Sequence, residues 1–387
     1  MRDLTKAVIT PEVSQAGFDA LGVPVHRAST ILFKDMASYA RRHQRGPDDY
    51  AYGLYGTPTT KVLEAQLSAL EGGVRTVILP SGQSAVTIVL LAVLKPGDVV
   101  LLPDTVYPPV MDFCIHYLAP RGITHRIYDP RIGAGIAGLI DDRVKLIWTE
   151  SPGSATMEVQ DIPAIVQAAH ARGVLVGCDN SWATPLLFKP LAHGVDFSMQ
   201  SLTKYAGGHS DLLLGSVAVS ELGLRDLLRN TMRMLGIGVS PDDVSLTLRG
   251  IQTMGVRLAH AGRVAQDFAE RLAAMPGVGD VLHPALPGHP GHEIWRRDFA
   301  GASGLFSIAL PSEAEPRIGP ALAALKTFAL GSSFGATRSL IAPMSVRNTR
   351  VLPAGRRDGT ILRLSIGLED PQDLWADLEA MFTILRG

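Results

Sequence analysis

The middle of the chain alternates between short apolar runs and longer segments with helical spacing. Six short runs, five of them rich in Val, Ile and Leu, end near Pro, Gly, Asp, Asn or Ser, which is typical of strands. They are TVILP (76–80), VVLLP (99–103), VKLIWTES (144–151), GVLVGCDN (173–180), FSMQS (197–201) and LLLGSVAVS (212–220). Helical spacing is found in SAVTIVLLAVL (84–94) and DIPAIVQAAHARG (161–173). Strands that are apolar throughout, with helices between them, predict a mostly parallel sheet covered on both faces.

A new region begins near residue 240. Ser240 is a suitable N-cap, Pro241 suits the first position of a helix, and Asp242 and Asp243 favour the positive end of the helix dipole. These residues predict the start of a long helix that leads into a second, smaller α/β domain.

The chain therefore divides into three predicted parts. Residues 1–57 are polar and then aromatic and basic, and we expect them to form an arm rather than a domain. Residues 58–240 carry the alternating strands and helices of the larger domain. Residues 241–387 form the smaller C-terminal domain. A chain of 387 residues is too long for one ordinary core, which agrees with this division.

Composition and charge exclude several classes of protein. The chain is 46% hydrophobic and 19% charged, so it can bury a large core and is not disordered. Its formal net charge of −1 provides no basic field for nucleic acid or a membrane surface. The longest apolar run, AVTIVLLAVL (85–94), is far shorter than a membrane span. Cys114 and Cys178 form no disulfide framework or metal motif, so we expect a cytoplasmic protein with no metal.

Polar side chains follow several predicted strands at the point where each strand ends. SGQ (81–83) follows the first strand and opens a helix, where free N–H groups and the helix dipole favour a phosphate. Tyr107, Asp179 and Lys204 follow three other strands. Taken singly, each is more often a cap, a turn residue, a packed aromatic or a surface charge. Because the carboxyl ends of parallel strands share one edge of a sheet, we expect these residues to form one site.

Together these features meet the needs of pyridoxal phosphate (PLP). The amine of Lys204 can form a Schiff base with the aldehyde of PLP. The carboxylate of Asp179 can keep the pyridine nitrogen protonated, so that the ring accepts electrons. Tyr107 offers a flat ring for stacking, and the helix start at Gly82 offers a phosphate cradle. The combination predicts PLP as the cofactor.

Longer motifs around these residues resemble a known family. The motifs are YGLYGTPTT (52–60), LEGG (70–73), SGQSA (81–85), ESPGSATMEVQDIPAI (150–165), DNSWATPLLFKPLAHGVD (179–196), SLTKYAGGHSD (201–211), HPALPGHPGHEIWRRDFAGASGLFS (283–307) and LRLSIGLED (362–370). Over nearly its whole length the chain resembles the Cys/Met-metabolism family of PLP-dependent enzymes, and most of all its bacterial cystathionine β-lyases. The resemblance implies an aspartate aminotransferase-like fold of type I, with a mostly parallel seven-stranded sheet and a smaller C-terminal α/β domain. It also implies a homo-oligomer, commonly a dimer of dimers.

The resemblance implies a role for each of several residues. Lys204 matches the Schiff-base lysine, which also moves the proton between the substrate Cα and the leaving group. Asp179 matches the partner of the pyridinium, and Tyr107 matches the ring-stacking tyrosine that also helps to handle the substrate amine. Arg363 matches the clamp on the substrate α-carboxylate, for which a bidentate guanidinium is suited. Ser339 lies in a segment that lines the same pocket.

The phosphate cradle follows from the same resemblance. Gly82, Gln83, Ser201 and Thr203 match its residues within one subunit. Tyr52 matches a tyrosine that the neighbouring subunit contributes to the phosphate and to the substrate pocket. The arm would therefore complete the site of a second copy.

Two positions depart from the family pattern. Leu54 stands where the family usually has the arginine of a Tyr-x-Arg motif, and a leucine cannot bind phosphate or carboxylate. Arg338 stands where relatives often have a glutamate. Our hypothesis is that Arg338, or Arg41 or Arg42 of the arm, restores positive charge over the pocket.

The resemblance implies β-elimination of L-cystathionine to homocysteine, pyruvate and ammonia. Because Leu54 removes the usual distal contact, cysteine, cystine and S-alkyl cysteines are further candidate substrates. One alternative is γ-elimination or γ-replacement, as in methionine γ-lyase or cystathionine γ-synthase. Another is a PLP-binding regulatory protein without catalysis, which the intact Lys204, Asp179 and Arg363 argue against.

Overall fold

A seven-stranded sheet organises the larger part of the chain. The computed structural model describes residues 2, 5, 14, 16–42, 44, 46, 49–347 and 349–387. The strands are β1 (Arg75–Leu79), β2 (Val99–Pro103), β3 (Thr124–Tyr128), β4 (Val144–Glu150), β5 (Leu175–Asp179), β6 (Phe197–Ser201) and β7 (Gly215–Val219). Their spatial order is β1-β7-β6-β5-β4-β2-β3, and the neighbouring pairs are parallel except for the two that include β7. The predicted α/β class and mostly parallel sheet are confirmed.

Two features of this sheet were not predicted. β7 runs antiparallel because the connection from β6 has no crossover helix, and a parallel return would need one. β3 (THRIY) lies at the edge of the sheet, where its side chains are mostly only partly buried. β3 therefore contains several polar residues and lacks the apolar pattern from which the other strands were predicted.

Helices cover both faces of the sheet. This part of the chain contains α1 (Met36–Ala40), α2 (Pro58–Glu71), α3 (Gly82–Val93), α4 (Pro108–Phe113), α5 (Ile162–His170), α6 (Thr184–Leu187) and α7 (Leu222–Leu235). α3 and α7 share one apolar cluster with Val100 and Leu102 of β2, whereas α5 shares another with Val99 and Leu101. Since successive side chains of a strand point to opposite faces, the two clusters lie on the two sides of the sheet.

A second, five-stranded sheet follows a long helix. The elements are α8 (Pro241–Ala273), β8 (Asp280–Leu282), α9 (His292–Asp298), β9 (Leu305–Ala309), α10 (Ile318–Ala323), β10 (Ala329–Leu330), β11 (Leu340–Met344), β12 (Ile361–Ser365) and α11 (Pro371–Arg386). The sheet order is β10-β11-β12-β9-β8, and Phe268, Phe306 and Phe382 lie in its core. Ser240 caps α8 by accepting the N–H of Asp242 at 3.2 Å, as predicted. Among the described residues, no helix is both long and apolar enough to cross a membrane.

The described part of the predicted arm lies along the larger sheet domain. The N–H of His26 donates to Thr59 Oγ1 at 2.8 Å, and Thr30 forms an isolated β-bridge with Tyr52. Large apolar side chains of this segment remain exposed, among them Leu21 and Leu32. Most of residues 1–15 fall outside the described residues, so the extent of the arm and the domain boundaries stay predictions.

Candidate active site

A cavity of about 250 Å³ lies at the carboxyl ends of the parallel strands. Turns that follow β1, β4, β5 and β6 form one side of it, and β12 with the segment before β11 contributes from the second sheet. The structure brings most of the predicted site residues to this cavity: Gly82, Gln83, Tyr107, Asp179, Ser201, Thr203, Lys204 and Arg363. Only Tyr52 and Ser339 of the predicted set do not line it within one subunit.

The start of α3 forms an anion-binding end of the cavity. The Ser81 hydroxyl accepts the N–H of Ser84 at 3.1 Å, and the Ser81 N–H donates to Ser84 Oγ at 2.9 Å. Helix geometry leaves the N–H groups of Gly82 and Gln83 without acceptors in the helix, and the helix dipole adds positive potential. A Cβ on Gly82 would lie 2.7 Å from Ser201 Oγ, so a glycine is needed for this close approach. The N–H groups and the Ser201 hydroxyl are the donors that a phosphate requires.

Two side chains predicted for the cradle have other partners in this structure. Gln83 Nε2 donates to the carbonyl of Pro109 at 2.9 Å. Thr203 Oγ1 donates to the carbonyl of Leu214 at 3.1 Å and accepts the Leu214 N–H at 3.1 Å. Both residues line the cavity, but their side chains also hold neighbouring backbone segments in place.

Lys204 lies in the turn that follows β6. Its amine donates to Ser333 Oγ at 2.7 Å and lies 4.8 Å from the centre of the Phe334 ring. Burial and the nearby charge of Arg363 lower the pKa of Lys204, the Asp179 carboxylate opposes them, and the resulting pKa is about 8. A substantial fraction of such a lysine is neutral near physiological pH, as a base or nucleophile must be.

Two carboxyl groups lie side by side on the floor of the cavity. Glu150 ends β4, Asp179 ends β5, and the two residues are paired in register across the strands. Burial raises the pKa of Asp179, although the Ser181 N–H, 2.9 Å from Asp179 Oδ1, and the charge of Lys204 oppose it. Burial and the neighbouring Asp179 raise the pKa of Glu150 well above its usual range. A protonated ring nitrogen placed beside Asp179 would favour its ionised form.

Arg363 presents a buried guanidinium from β12. Nη2 donates to the carbonyl of Ser332 at 2.7 Å, and Nη1 donates to the carbonyl of Ser154 at 3.3 Å. Burial lowers the pKa of Arg363, whereas the charge of Glu150 opposes that effect. Within the described part of the chain, no carboxylate forms a salt bridge with Arg363. The positive charge of its guanidinium is therefore available to pair with the carboxylate of a ligand.

The side chain of Ser339 faces away from the cavity within one subunit, so its binding of substrate stays a prediction. Ser339 is fully buried, and its N–H and hydroxyl donate to the two oxygens of Glu369, each at 2.7 Å. Its hydroxyl also accepts the N–H of Gly367 at 2.8 Å. The segment does line the cavity, but through Ser332 and Phe334, which lie before the turn into β11.

The residues expected to act between subunits, or to replace the missing arginine, do not line this cavity. Tyr52 has 48% of its surface exposed, and Leu54 is half-buried. Arg338 and Arg41 are exposed, and Arg42 is half-buried. Within one subunit the hypothesis that Arg338 restores charge over the pocket has no support. The action of Tyr52 and of the arm on a second subunit stays a prediction.

Sequence reasoning missed two polar residues of the site. Ser333 accepts the hydrogen bond of the Lys204 amine, and Glu150 accepts the N–H of Tyr107 at 2.7 Å. Ser333 has no local signal, because its partner lies far away in the sequence. Glu150 could have been found by the reasoning that selected Asp179, because it is also an acid at the end of a predicted strand.

These residues fit PLP. The helix N–H groups and a hydroxyl would bind the phosphate of PLP, and a buried carboxylate would pair with its ring nitrogen. The lysine amine would react with its aldehyde. The ring of Tyr107 is 44% exposed beside them and is available for stacking. The close approach of Gly82 to Ser201 leaves no room for a side chain at the cradle.

Known proteins resemble this chain over almost its full length. The family model described as Cys/Met metabolism PLP-dependent enzyme matches residues 4–383. Cystathionine beta-lyase of Escherichia coli (strain K12) is 40% identical over 372 residues, covering 94% of this chain and 93% of that protein. L-alanine/L-glutamate racemase of Wolbachia pipientis wMel is 37% identical over 373 residues, covering 93% and 92% respectively.

A solved structure agrees with the fold. Cystathionine gamma synthase from Xanthomonas oryzae pv. oryzae, in complex with cystathionine, aligns with a TM-score of 0.88 and 31% identity. The alignment covers 96% of this chain and 95% of that one. With the matched family model, the fold of type I and a cavity that fits PLP, this chain belongs to the Cys/Met metabolism family of PLP-dependent enzymes.

Proposed function

We propose that the protein is a carbon–sulfur lyase that catalyses β-elimination of L-cystathionine to homocysteine, pyruvate and ammonia. The observation that carries the proposal is that one cavity is lined by a lysine with a lowered pKa and by an arginine that pairs with no carboxylate among the residues the structure describes. The 40% identity to a cystathionine beta-lyase supports this reaction over others of the family. Cysteine, cystine and S-alkyl cysteines are further candidate substrates, because Leu54 offers no charge to a distal carboxylate.

The roles of the residues follow from their positions. Arg363 binds the substrate α-carboxylate and so orients Cα toward Lys204. Because its pKa is lowered, a substantial fraction of Lys204 is neutral. The neutral amine removes the proton from Cα and delivers it to the departing sulfur. Asp179 would hold the ring nitrogen of the cofactor and favour its protonated form. Bound PLP supplies the electron sink for the negative charge that develops at Cα.

A second candidate is γ-replacement or γ-elimination. It is favoured by the likeness to a cystathionine gamma synthase, which shares the fold over 96% of this chain. Racemisation is a third outcome, because a base that removes the Cα proton can also return it, and one relative is named a racemase. All three reactions would use the same lysine, acid and arginine, so geometry within one subunit does not separate them.

The test is to identify the product formed when the purified, PLP-saturated protein meets L-cystathionine. Pyruvate with homocysteine supports β-elimination, whereas 2-oxobutyrate with cysteine would establish γ-elimination. A chiral assay on L-alanine and L-glutamate reads racemisation in the same preparation. Lys204→Ala is the matched control, and it should form none of these products above the rate of free PLP.

We also propose that the enzyme is a homo-oligomer in which Tyr52 completes the phosphate site of a neighbouring subunit. Support comes from the exposure of Tyr52 outside its own cavity and from the exposed apolar side chains of the arm. Mixed oligomers test this, since Tyr52→Ala and Lys204→Ala subunits would each be nearly inactive alone. If the tyrosine acts across the interface, mixing them restores activity at the one site with both residues. No recovery in verified mixed oligomers would overturn the proposal.

A further inference from the structure

Glu150 is a buried carboxylate at the cavity to which the proposed chemistry assigns no task. Its side chain lines the cavity, and the residue is only 8% exposed. A buried carboxylate is costly unless it is hydrogen-bonded, so its partner indicates its purpose. That partner is the N–H of Tyr107, which lies 2.7 Å from Glu150 Oε2.

The backbone at Tyr107 has few other means of support. Tyr107 is the N-cap of α4, a helix of six residues, and its side chain makes no capping hydrogen bond. The next two residues, Pro108 and Pro109, have no N–H. The next donor, the N–H of Val110, bonds back to the carbonyl of Tyr107 at 2.9 Å. The carboxylate of Glu150 therefore holds the N–H of Tyr107, while Gln83 Nε2 holds the carbonyl of Pro109 and the N–H of Val106 bonds to the carbonyl of Pro103 at the end of β2.

Packing restrains the side chain of Tyr107 only in part. The ring is 44% exposed, and among the described residues no hydrogen bond fixes its hydroxyl. Its direction over the cavity therefore depends on the backbone from which it extends. Because Glu150 ends β4, an interior strand between β5 and β2, the sheet anchors that backbone position.

The charges around Glu150 come from several elements. Asp179 on β5 repels a negative charge at Glu150, whereas Arg350 and Arg363, from the segment before β12 and from β12 itself, attract one. Either ionisation state of the carboxyl group keeps an oxygen that can accept the N–H of Tyr107. The contact therefore does not require the charge.

We propose that Glu150 is a positioning residue, which fixes Tyr107 over the cavity by accepting its backbone N–H. The inference rests on the proposed function only for the choice of substrate in the kinetic assay. It separates Glu150 from Asp179, the neighbouring acid, which would act on the cofactor directly.

The experiment compares Glu150→Gln, which keeps an acceptor oxygen, with Glu150→Ala, which removes it. Hydrogen exchange at the Tyr107 amide is measured by mass spectrometry with residue-level fragmentation, in the cofactor-free and PLP-saturated proteins. In Glu150→Ala we expect the exchange rate of the Tyr107 amide to rise by about tenfold or more. We also expect kcat/KM to fall by about tenfold or more. In Glu150→Gln both should stay within about threefold of the parent protein.

Asp377 provides a matched control. Its carboxylate also accepts backbone N–H groups, including that of Thr327 at 2.6 Å, but it lies in the second sheet domain outside the cavity. Asp377→Ala should speed exchange near Thr327 and leave exchange at Tyr107 unchanged.

Two results would overturn the proposal. One is unchanged exchange at Tyr107 in Glu150→Ala. The other is a Glu150→Gln protein that keeps its protection at Tyr107 but loses as much activity as Glu150→Ala, because the charge would then be the active feature. If L-cystathionine is not a substrate, the exchange measurement still tests the hydrogen bond between Glu150 and the Tyr107 N–H. The kinetic comparison is then made with an amino acid that the enzyme does turn over.

Discussion

The amine of Lys204 and the hydroxyl of Ser333 meet across 2.7 Å, although 129 residues separate them in the chain. Lys204 follows a strand of the larger sheet, and Ser333 precedes a strand of the smaller one. The contact therefore joins the two sheets at the reacting amine. It also favours the charged form of a lysine that burial otherwise pushes toward neutrality.

Removing this hydroxyl should lower the pKa of Lys204. Because an acceptor stabilises the ammonium form, we expect Ser333→Ala to lower the pKa from about 8 by roughly 0.5–1 unit. The measurement is the pH dependence of Lys204 modification by an amine-directed reagent in the cofactor-free protein. Ser332→Ala keeps the backbone carbonyl that holds Arg363 and should leave the pKa where it is. A pKa that rises in Ser333→Ala would contradict this account.

Neutralising Asp179 should abolish most of the activity while leaving the fold intact. Asp179→Asn keeps an oxygen for the N–H of Ser181, which now lies 2.9 Å from the carboxylate. It removes the charge that would hold a proton on the cofactor ring, so we expect kcat to fall by about 100-fold or more. Steady-state kinetics measure the fall in kcat, and a thermal melting curve checks that the fold is intact. Asp226→Asn, on an exposed carboxylate, should retain full activity.

Filling the phosphate cradle should weaken cofactor binding. In Gly82→Ala the new Cβ would lie 2.7 Å from both Cβ and Oγ of Ser201, so the helix start and β6 must move apart. We expect the dissociation constant of PLP to rise by about tenfold or more, as the N–H donors lose their alignment. Gly223→Ala places the same methyl group in open space and serves as the control. Equal PLP affinity in the two variants would show that the helix start at Gly82 does not bind the phosphate of PLP.

Glu71 should make stability depend on pH. It is fully buried and accepts hydrogen bonds from Ser198 and Gln200 of β6, and burial raises its pKa to about 7 from an ordinary 4.5. Between these pH values the folded state binds the proton that the unfolded state releases. The stability conferred by the protonated group is therefore complete below pH 4.5 and is lost as the pH rises through 7.

The size of that loss is of the order of 3 kcal/mol. Chemical denaturation at pH 5 and pH 8 should show a fall in the free energy of unfolding that Glu71→Gln largely removes. Glu313→Gln, on an exposed glutamate, is the control and should keep the pH dependence of the parent protein. A parent-like pH dependence in Glu71→Gln would show that this carboxyl group titrates normally.

Much of the architecture could be predicted because its signals are local. β2 and β6 have the predicted bounds, because short runs of residues delimited by turn residues mark both strands in the sequence. The cap at Ser240 and the helix start at Gly82 are likewise set by a few neighbouring residues. The acid and the lysine of the site were found because they directly follow strands, and strand ends meet at one edge.

The sequence by itself thus determined six of the seven strands of the larger sheet, the family and the residues at the strand ends. Only the tertiary structure decided which side chains of the connecting segments face the cavity. Within one subunit the hydroxyl of Ser339 donates to Glu369, 30 residues later, whereas the hydroxyl of Ser333 accepts the amine of Lys204. Glu150 has its partner Tyr107 43 residues earlier. Such choices depend on contacts between distant segments, and no local pattern of hydrophobic and polar residues encodes them.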